Sequence, residues 1–326
     1  MYRKSIILIA NLICISIASA KQSSDSNFIE NEIILSTKSG KIFGTISLPQ
    51  NLSNYPLAII VPGSGPTDRN CNATMLGMNT DAYKKLAHDL ASNKIAVLRY
   101  DKRGVGESLN AIKREEDLTF DSYINDLIEW IKLVKTDKHF NSITIIGHSE
   151  GALIAMEAAK YADKYISIAG AGKGIDSILT EQLMSQPSFV SEKSKSIMDS
   201  LKRDLFVSDV PDYLMPLFRP SVQPYMISWL KYNPQEEIKK IAIPILLIQG
   251  TKDLQVTTNN IILLAKNNLK ANVKVIENMN HVFFTIEGDE MSNKESYMNN
   301  TLPINKELIN NLVDFITEKV SEAIKL

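Results

Sequence analysis

The feature that most constrains this chain is a short run of sequence around residue 149. Ser142-Ile143-Thr144-Ile145-Ile146 is an apolar run of strand length, and Ala152–Lys160 is built from strong helix formers. Between them stands Gly147-His148-Ser149-Glu150-Gly151. A buried strand must therefore turn into a helix within five residues. Glycine is needed at both ends of the turn, because a β-carbon there would collide with the adjacent helix or strand. The serine is held in a strained turn at the sheet edge, at the N-terminus of a helix whose dipole favours negative charge.

The rest of the chain repeats the strand and helix signals. Phe28–Leu35 and Lys41–Leu48 read as two strands joined by a turn at Lys38-Ser39-Gly40. Further strands are read at Leu57–Val61, Ile95–Tyr100, Tyr165–Ala169, Pro244–Gln249 and Val273–Ile276. Helices are read at Asp81–Ser92, Phe120–Val134, Asn259–Asn268 and Asn305–Val320, with apolar residues at helical spacing. Alternation of this kind predicts an α/β fold: about eight strands in a mostly parallel sheet, covered by helices on both faces, with an antiparallel hairpin at one edge.

One stretch breaks the rhythm. Between Gly170 and Ile243 no sheet strand is visible, and five prolines from Pro187 to Pro224 interrupt any long helix. Residues 172–240 are therefore read as a helical cap inserted into a core made of residues 21–171 and 241–326. Met184, Phe218, Met226 and Trp229 are expected to face a pocket under that cap, beside Gly63, Gly65 and His148. The segment Glu287–Asn300, rich in Asn, Ser, Asp and Glu, reads as a mobile polar loop.

Composition narrows the function classes. Of 326 residues, 44% are hydrophobic and 22% charged, with a net charge of −1. These are values of a globular protein, and no basic stripe points to nucleic acid. At the N-terminus, Arg3-Lys4, the apolar run Ile6–Ile17 and Ala18-Ser19-Ala20 form a signal-peptide pattern, with residues 1–20 removed on export to the periplasm or beyond. The competing reading is an uncleaved anchor, but the apolar run is short for a membrane span. No stable membrane anchor is expected after cleavage. Cys14 lacks the small preceding residue of a lipoprotein signal, so Cys71 would be the one cysteine of the mature chain, with no partner for an internal disulfide. Cys71 is read as an ordinary loop residue.

A serine hydroxyl needs a base, and the base needs an orienting carboxylate. Of four histidines, His88 falls in a helix, His139 in a polar turn and His148 inside the turn around Ser149. His281 follows the last strand, whose loop emerges at the same sheet edge as Ser149. Asp253 follows the preceding strand. The order Ser149, Asp253, His281 is the one expected for such a sheet. An oxyanion would be held by the backbone N–H of Glu150 and by that of Ser64, in the loop Pro62-Gly63-Ser64-Gly65-Pro66-Thr67-Asp68-Arg69-Asn70. Asp68, Arg69 and Asn70 are read as loop structure, and Glu150 as a possible partner for Arg69 or Lys102.

These segments resemble the α/β-hydrolases, and among them bacterial carboxylesterases with an oxyanion loop P-G-S-G-P-x-D-R-N, a turn G-H-S-E-G and an acid segment G-x-x-D-x-Q-V. The last is here Gly250-Thr251-Lys252-Asp253-Leu254-Gln255-Val256. Asp101–Ser108 matches a further segment common in the superfamily, where it has a structural role. The resemblance implies hydrolysis of a small-molecule ester through an acyl-enzyme on Ser149, without cofactor or metal. Lysophospholipase, thioesterase and serine aminopeptidase activities are the nearest alternatives; a non-catalytic binder on the same fold is a different class.

Overall fold

A computed structural model describes residues 27–184 and 186–318. The signal-peptide reading of residues 1–20 and the position of Cys14 lie outside them. Eight strands form one sheet: β1 (Phe28–Ser36), β2 (Lys41–Pro49), β3 (Tyr55–Val61), β4 (Ala96–Tyr100), β5 (Phe140–His148), β6 (Lys164–Ile168), β7 (Ile245–Gly250) and β8 (Asn272–Ile276). Their spatial order is β1-β2-β4-β3-β5-β6-β7-β8. β1 and β2 pair antiparallel, β2 meets β4 antiparallel, and all remaining pairs are parallel. The central strands β3, β4 and β6 carry almost no exposed residue, whereas the edge strand β8 is exposed along most of its length. Burial on both faces is what selects the Ile/Val/Leu runs of the central strands.

Helices α1 (Ala82–Ser92), α2 (Phe120–Val134) and α3 (Glu150–Ala158) follow β3, β4 and β5. α2 begins with a reciprocal cap, in which the Thr119 side chain accepts from the Ser122 N–H and the Ser122 hydroxyl accepts from the Thr119 N–H. Its apolar stripe, including Phe120, Leu127, Trp130 and Ile131, packs with α3 on one sheet face. α1 and the C-terminal helix, Lys306–Thr317, fill the other face around Tyr83, Leu86, Leu308 and Leu312.

Between β6 and β7 the chain forms α4 (Ile175–Leu183), α5 (Ser188–Leu201), α6 (Gln223–Trp229) and two single-turn helices, Met215–Phe218 and Pro234–Glu237. Ile175, Leu179, Ile197, Leu201, Leu214, Phe218 and Met226 give this region a core of its own. The segment read as a mobile loop at 287–300 is different in the structure: it contains α7 (Glu290–Ser296). Asp289 caps this helix by accepting the Ser292 N–H at 2.9 Å. Asn293 and Ser296 are buried at 1% and 3% exposure. Their polar side chains turn inward to partners on other loops, so the usual apolar periodicity of a packed helix is absent from the sequence.

Candidate active site

The turn after β5 is set by sterics. A β-carbon on Gly147 would lie 2.4 Å from Ala152 Cα, and one on Gly151 would lie 2.2 Å from the Val61 carbonyl oxygen. Such contacts are far inside van der Waals distance, so only glycine lets α3 start this close to β3. Ser149 sits at φ 54°, ψ −120°, a region that L-residues rarely occupy. Its N–H donates to the Ile168 carbonyl at 3.0 Å, and its own carbonyl accepts from Ala152 N–H at 3.0 Å. The strained backbone is thus fixed on both sides.

Strand register brings the other loops to this turn. Val61 pairs with Gly147 and Ile276 pairs with Gly250, so the loops after β3, β7 and β8 leave the same sheet edge. Asp253 Oδ2 and His281 Nδ1 are 2.8 Å apart, and both side chains are almost fully buried. Burial alone would raise Asp253. The charge of His281 and its hydrogen bond, with N–H groups of Val256 and Gln255, more than offset this and hold it below the ordinary carboxylate value. An ionised Asp253 only accepts, so His281 carries a proton on Nδ1, which leaves Nε2 as the nitrogen turned away from the acid. Gln249, at the end of β7 and fully buried, donates from Nε2 to Asp253 Oδ2 at 2.9 Å and to the Val256 carbonyl at 2.8 Å.

His148 links these parts. Its Nε2 faces the His281 carbonyl oxygen at 2.9 Å, an acceptor, so Nε2 carries the proton. Its Nδ1 then accepts from Tyr83 Oη at 2.6 Å, and Tyr83 Oη accepts from the Gly63 N–H at 3.0 Å. Burial, followed by the nearby His281, pushes His148 down to about 3, so it stays neutral. Burial also drives the Tyr83 phenol well up, which keeps its donor proton in place. One relay therefore runs from the loop after β3 to the loop after β8.

Gly63 N–H is committed to Tyr83, which leaves the next residue for an oxyanion. Buried Lys102 donates from Nζ to the Gly63 carbonyl at 2.5 Å. In a planar trans peptide the following N–H points the opposite way, so Lys102 fixes the direction of Ser64 N–H. Ser64 N–H has no hydrogen-bond acceptor among the described residues. Lys102 Nζ is also 3.5 Å from Glu150 Oε1, at side-chain exposures of 2% and 3%. Glu150 therefore faces Lys102. Arg69 is engaged elsewhere, with Asp101 at 3.6 Å and with Glu107. Asp68 Oδ1 accepts the N–H groups of Asn70 and Asn72 at 2.8 and 2.9 Å, and Asn70 bonds Arg99, so this trio forms loop structure.

A cavity of about 980 Å³ lies between Ser149 and the α4–α6 region. Ser64, Gly65, Ser149 and Glu150 line its floor, and Met226 and Trp229 its roof. Four residues expected there are not on the wall. Met184 is 74% exposed at the end of α4 and points to solvent. Phe218 is wholly buried in the apolar core of the inserted helices. His148 is held behind the turn by Tyr83 and the His281 carbonyl, and Gly63 is enclosed by His148, Tyr83 and Lys102. The other histidines are remote: His88 faces Glu30 of β1, and exposed His139 faces Asp137 before β5. Cys71 is buried rather than lying in an open loop, and burial pushes its thiol up to about 12, which disfavours the reactive thiolate. Among the described residues no group of three His, Cys, Asp or Glu side chains is arranged to hold a metal ion.

Sequence reasoning missed Tyr83, Gln249 and the part played by Lys102. Only Gln249 left a signal, a polar residue ending an apolar strand directly before the acid loop.

Residues 76–176 match the Hydrolase_4 family, described as serine aminopeptidase, S33. That segment contains Ser149 and ends before Asp253 and His281. Esterase EstD of Thermotoga maritima is 29% identical over 273 residues, which is 80% of this chain and 62% of the relative's length. Est1E from Butyrivibrio proteoclasticus, solved with ferulic acid bound, has a TM-score of 0.55 at 16% identity, over 82% of this chain and 96% of that one. The α/β hydrolase GrgF from Penicillium sp. sh18 has a TM-score of 0.56 at 17% identity, over 88% and 98% of the two chains. At these identities the structural likeness speaks for the fold.

Proposed function

We propose that this chain, a member of the α/β-hydrolase superfamily, is a serine carboxylesterase that cleaves small-molecule esters through an acyl-enzyme on Ser149. The observation that carries the reading is the buried 2.8 Å pair of Asp253 and His281, docked on the Ser149 turn through the 2.9 Å contact of His148 with the His281 carbonyl. The similarity to Esterase EstD supports ester bonds as the substrate class.

In this reading Ser149 Oγ attacks the ester carbonyl as His281 Nε2 takes its proton. The N–H groups of Ser64 and Glu150 receive the oxyanion; losing one such donor typically costs about 3 kcal/mol of transition-state stabilisation. His281 then gives the proton to the leaving alcohol. Water, deprotonated by the same nitrogen, hydrolyses the acyl-enzyme and frees Ser149. Asp253 keeps the imidazole in the Nδ1–H tautomer and stabilises the imidazolium.

Replacing Ser149 by alanine should abolish labelling by a fluorophosphonate and lower turnover of a p-nitrophenyl ester by about 10⁴-fold or more. Full labelling in that variant would remove Ser149 from its role. The family match at residues 76–176 favours a second reading, aminopeptidase activity. Side-by-side turnover of p-nitrophenyl esters and aminoacyl anilides separates the two. Export is part of the proposal and rests on Arg3-Lys4, Ile6–Ile17 and Ala18-Ser19-Ala20; N-terminal sequencing of the cell-free protein should begin at Lys21.

A further inference from the structure

Asn293 lies in α7, away from the cavity wall, yet its amide joins the two loops that carry Asp253 and His281. Its Nδ2 donates to the Lys252 carbonyl at 2.6 Å, and its Oδ1 accepts from Asn280 Nδ2 at 3.0 Å. Lys252 immediately precedes Asp253, and Asn280 immediately precedes His281. The carbonyl of Lys252 can only accept, so the orientation of the Asn293 amide is determined.

Asn280 is itself fully engaged. Its second Nδ2 hydrogen goes to Ser296 Oγ at 2.9 Å, and its Oδ1 accepts the N–H groups of Phe284 at 2.9 Å and Val282 at 3.2 Å. Ser296 Oγ donates onward to the Asn293 carbonyl at 2.6 Å. The turn carrying His281 is thus wound around one amide, and that amide is tied to α7. Asn280 and Asn293 are each 1% exposed, so these bonds do not compete with water. The two loops also meet directly, through the Asp253–His281 pair, Lys252 N–H to the Met279 carbonyl at 3.0 Å and Asn278 N–H to Thr251 Oγ1 at 2.9 Å, whereas Asn293 ties them from a third element, α7.

We propose that Asn293 is a positioning residue for the reaction: it sets the spacing of the acid and base loops, and through it the aim of His281 Nε2 at Ser149. This rests on the triad reading above. Loss of the link leaves Asp253 and His281 present but free to drift. A displacement of about 1 Å in a catalytic group can cost about 10²-fold in rate without weakening substrate binding.

The test uses the full chain with a p-nitrophenyl ester, comparing wild type, Asn293→Ala, Ser296→Ala and Met291→Ala, each also in a His281→Ala background. Met291 is 63% exposed on the same helix and serves as the control. Asn293→Ala should lower kcat about 10²-fold with KM within about twofold, while Met291→Ala leaves both unchanged. In the His281→Ala background, Asn293→Ala should cost less than about twofold further, because there is no imidazole left to aim. An unchanged kcat in Asn293→Ala, or an equal loss in both backgrounds, overturns the proposal.

Should Asn293→Ala not fold, Ser296→Ala removes one bond to Asn280 and leaves the Lys252 link intact. It should lower kcat roughly threefold to tenfold, and only where His281 is present; an unchanged kcat, or the same loss without His281, again overturns the proposal. Failure of the triad itself reads differently, as wild-type turnover in His281→Ala alone or persistent labelling in Ser149→Ala.

Discussion

Around Ser149 the chain is held by exclusion: the α3 and β3 backbones meet so closely that Gly147 and Gly151 have no room for a methyl group. Around Asp253 and His281 it is held by attraction between buried amides, those of Gln249, Asn280 and Asn293. The first device works on backbone atoms within five residues of sequence. The second includes links across 13 and 41 residues of sequence and depends on hydrogen-bond direction. In the proposed mechanism, a nucleophile at Ser149 that must hold a strained backbone gains from rigid walls. A base at His281 that must take and return a proton gains, in that mechanism, from a frame that fixes its direction and keeps one tautomer.

The largest expected effect comes from breaking the steric half. Gly151→Ala puts a methyl group 2.2 Å from one backbone carbonyl and 2.6 Å from a second, those of Val61 and Pro62. Backbone cannot yield as a side-chain tip can, so α3 must shift away from β3. Overpacking of this kind costs about 3 kcal/mol or more. Thermal unfolding should show a drop of roughly 6–12 °C, and ester turnover should fall by more than about 10³-fold. A variant with normal Tm and rate would mean that the turn is not held by exclusion.

The relay between the halves gives an intermediate effect. Tyr83→Phe removes the hydroxyl that accepts from Gly63 N–H and donates to His148 Nδ1. Two buried polar groups lose their partner, at about 1–3 kcal/mol each. Chemical denaturation should report that loss, and kcat should fall about tenfold as the loops after β3 and β8 uncouple. The same relay carries a pH signature. His148 is held near 3 in the fold against its ordinary 6.5. Between those values the unfolded chain binds a proton that the folded chain does not. Stability from this group is therefore complete above about pH 6.5 and is lost as pH falls toward 3. A His148→Gln variant should lack that part of the slope in urea titrations across this range.

Legibility in the sequence follows the same division. Gly147, Ser149 and Gly151 could be read directly, because the steric need is local and the flanking strand and helix announce themselves. Asp253 and His281 could be placed by chain order, because parallel strands deliver their loops to one edge. The amide frame could not be read. Asn280, Asn293 and Ser296 look like the solvated residues around them, and burial becomes visible only once α7 packs against the loops. The same blindness put Met184 and Phe218 on the cavity wall: apolar character marks a residue for burial but does not say whether it faces a cavity, a neighbouring side chain or solvent.

The smallest expected effects lie in the inserted helices, which belong to neither half. Met226 lines the cavity roof and is 5% exposed, whereas Met184 stands 74% exposed outside it. Met226→Ala should enlarge the roof and move the preferred acyl chain of p-nitrophenyl esters toward greater length. One methylene in an apolar pocket is worth about 1–3 kcal/mol of discrimination, so kcat/KM ratios between neighbouring chain lengths should change about tenfold. For the best substrate kcat should stay within about twofold, because among the described residues neither Met226 nor Trp229 makes a hydrogen bond or ring contact to Asp253, His281 or the relay. Met184→Ala should alter neither the profile nor the rate. If the two methionine variants shifted the profile alike, the cavity wall would have to extend past α4. If Met226→Ala lowered kcat for every ester, the inserted helices would share in holding the catalytic frame, and the division between an excluded half and an amide-held half would be incomplete.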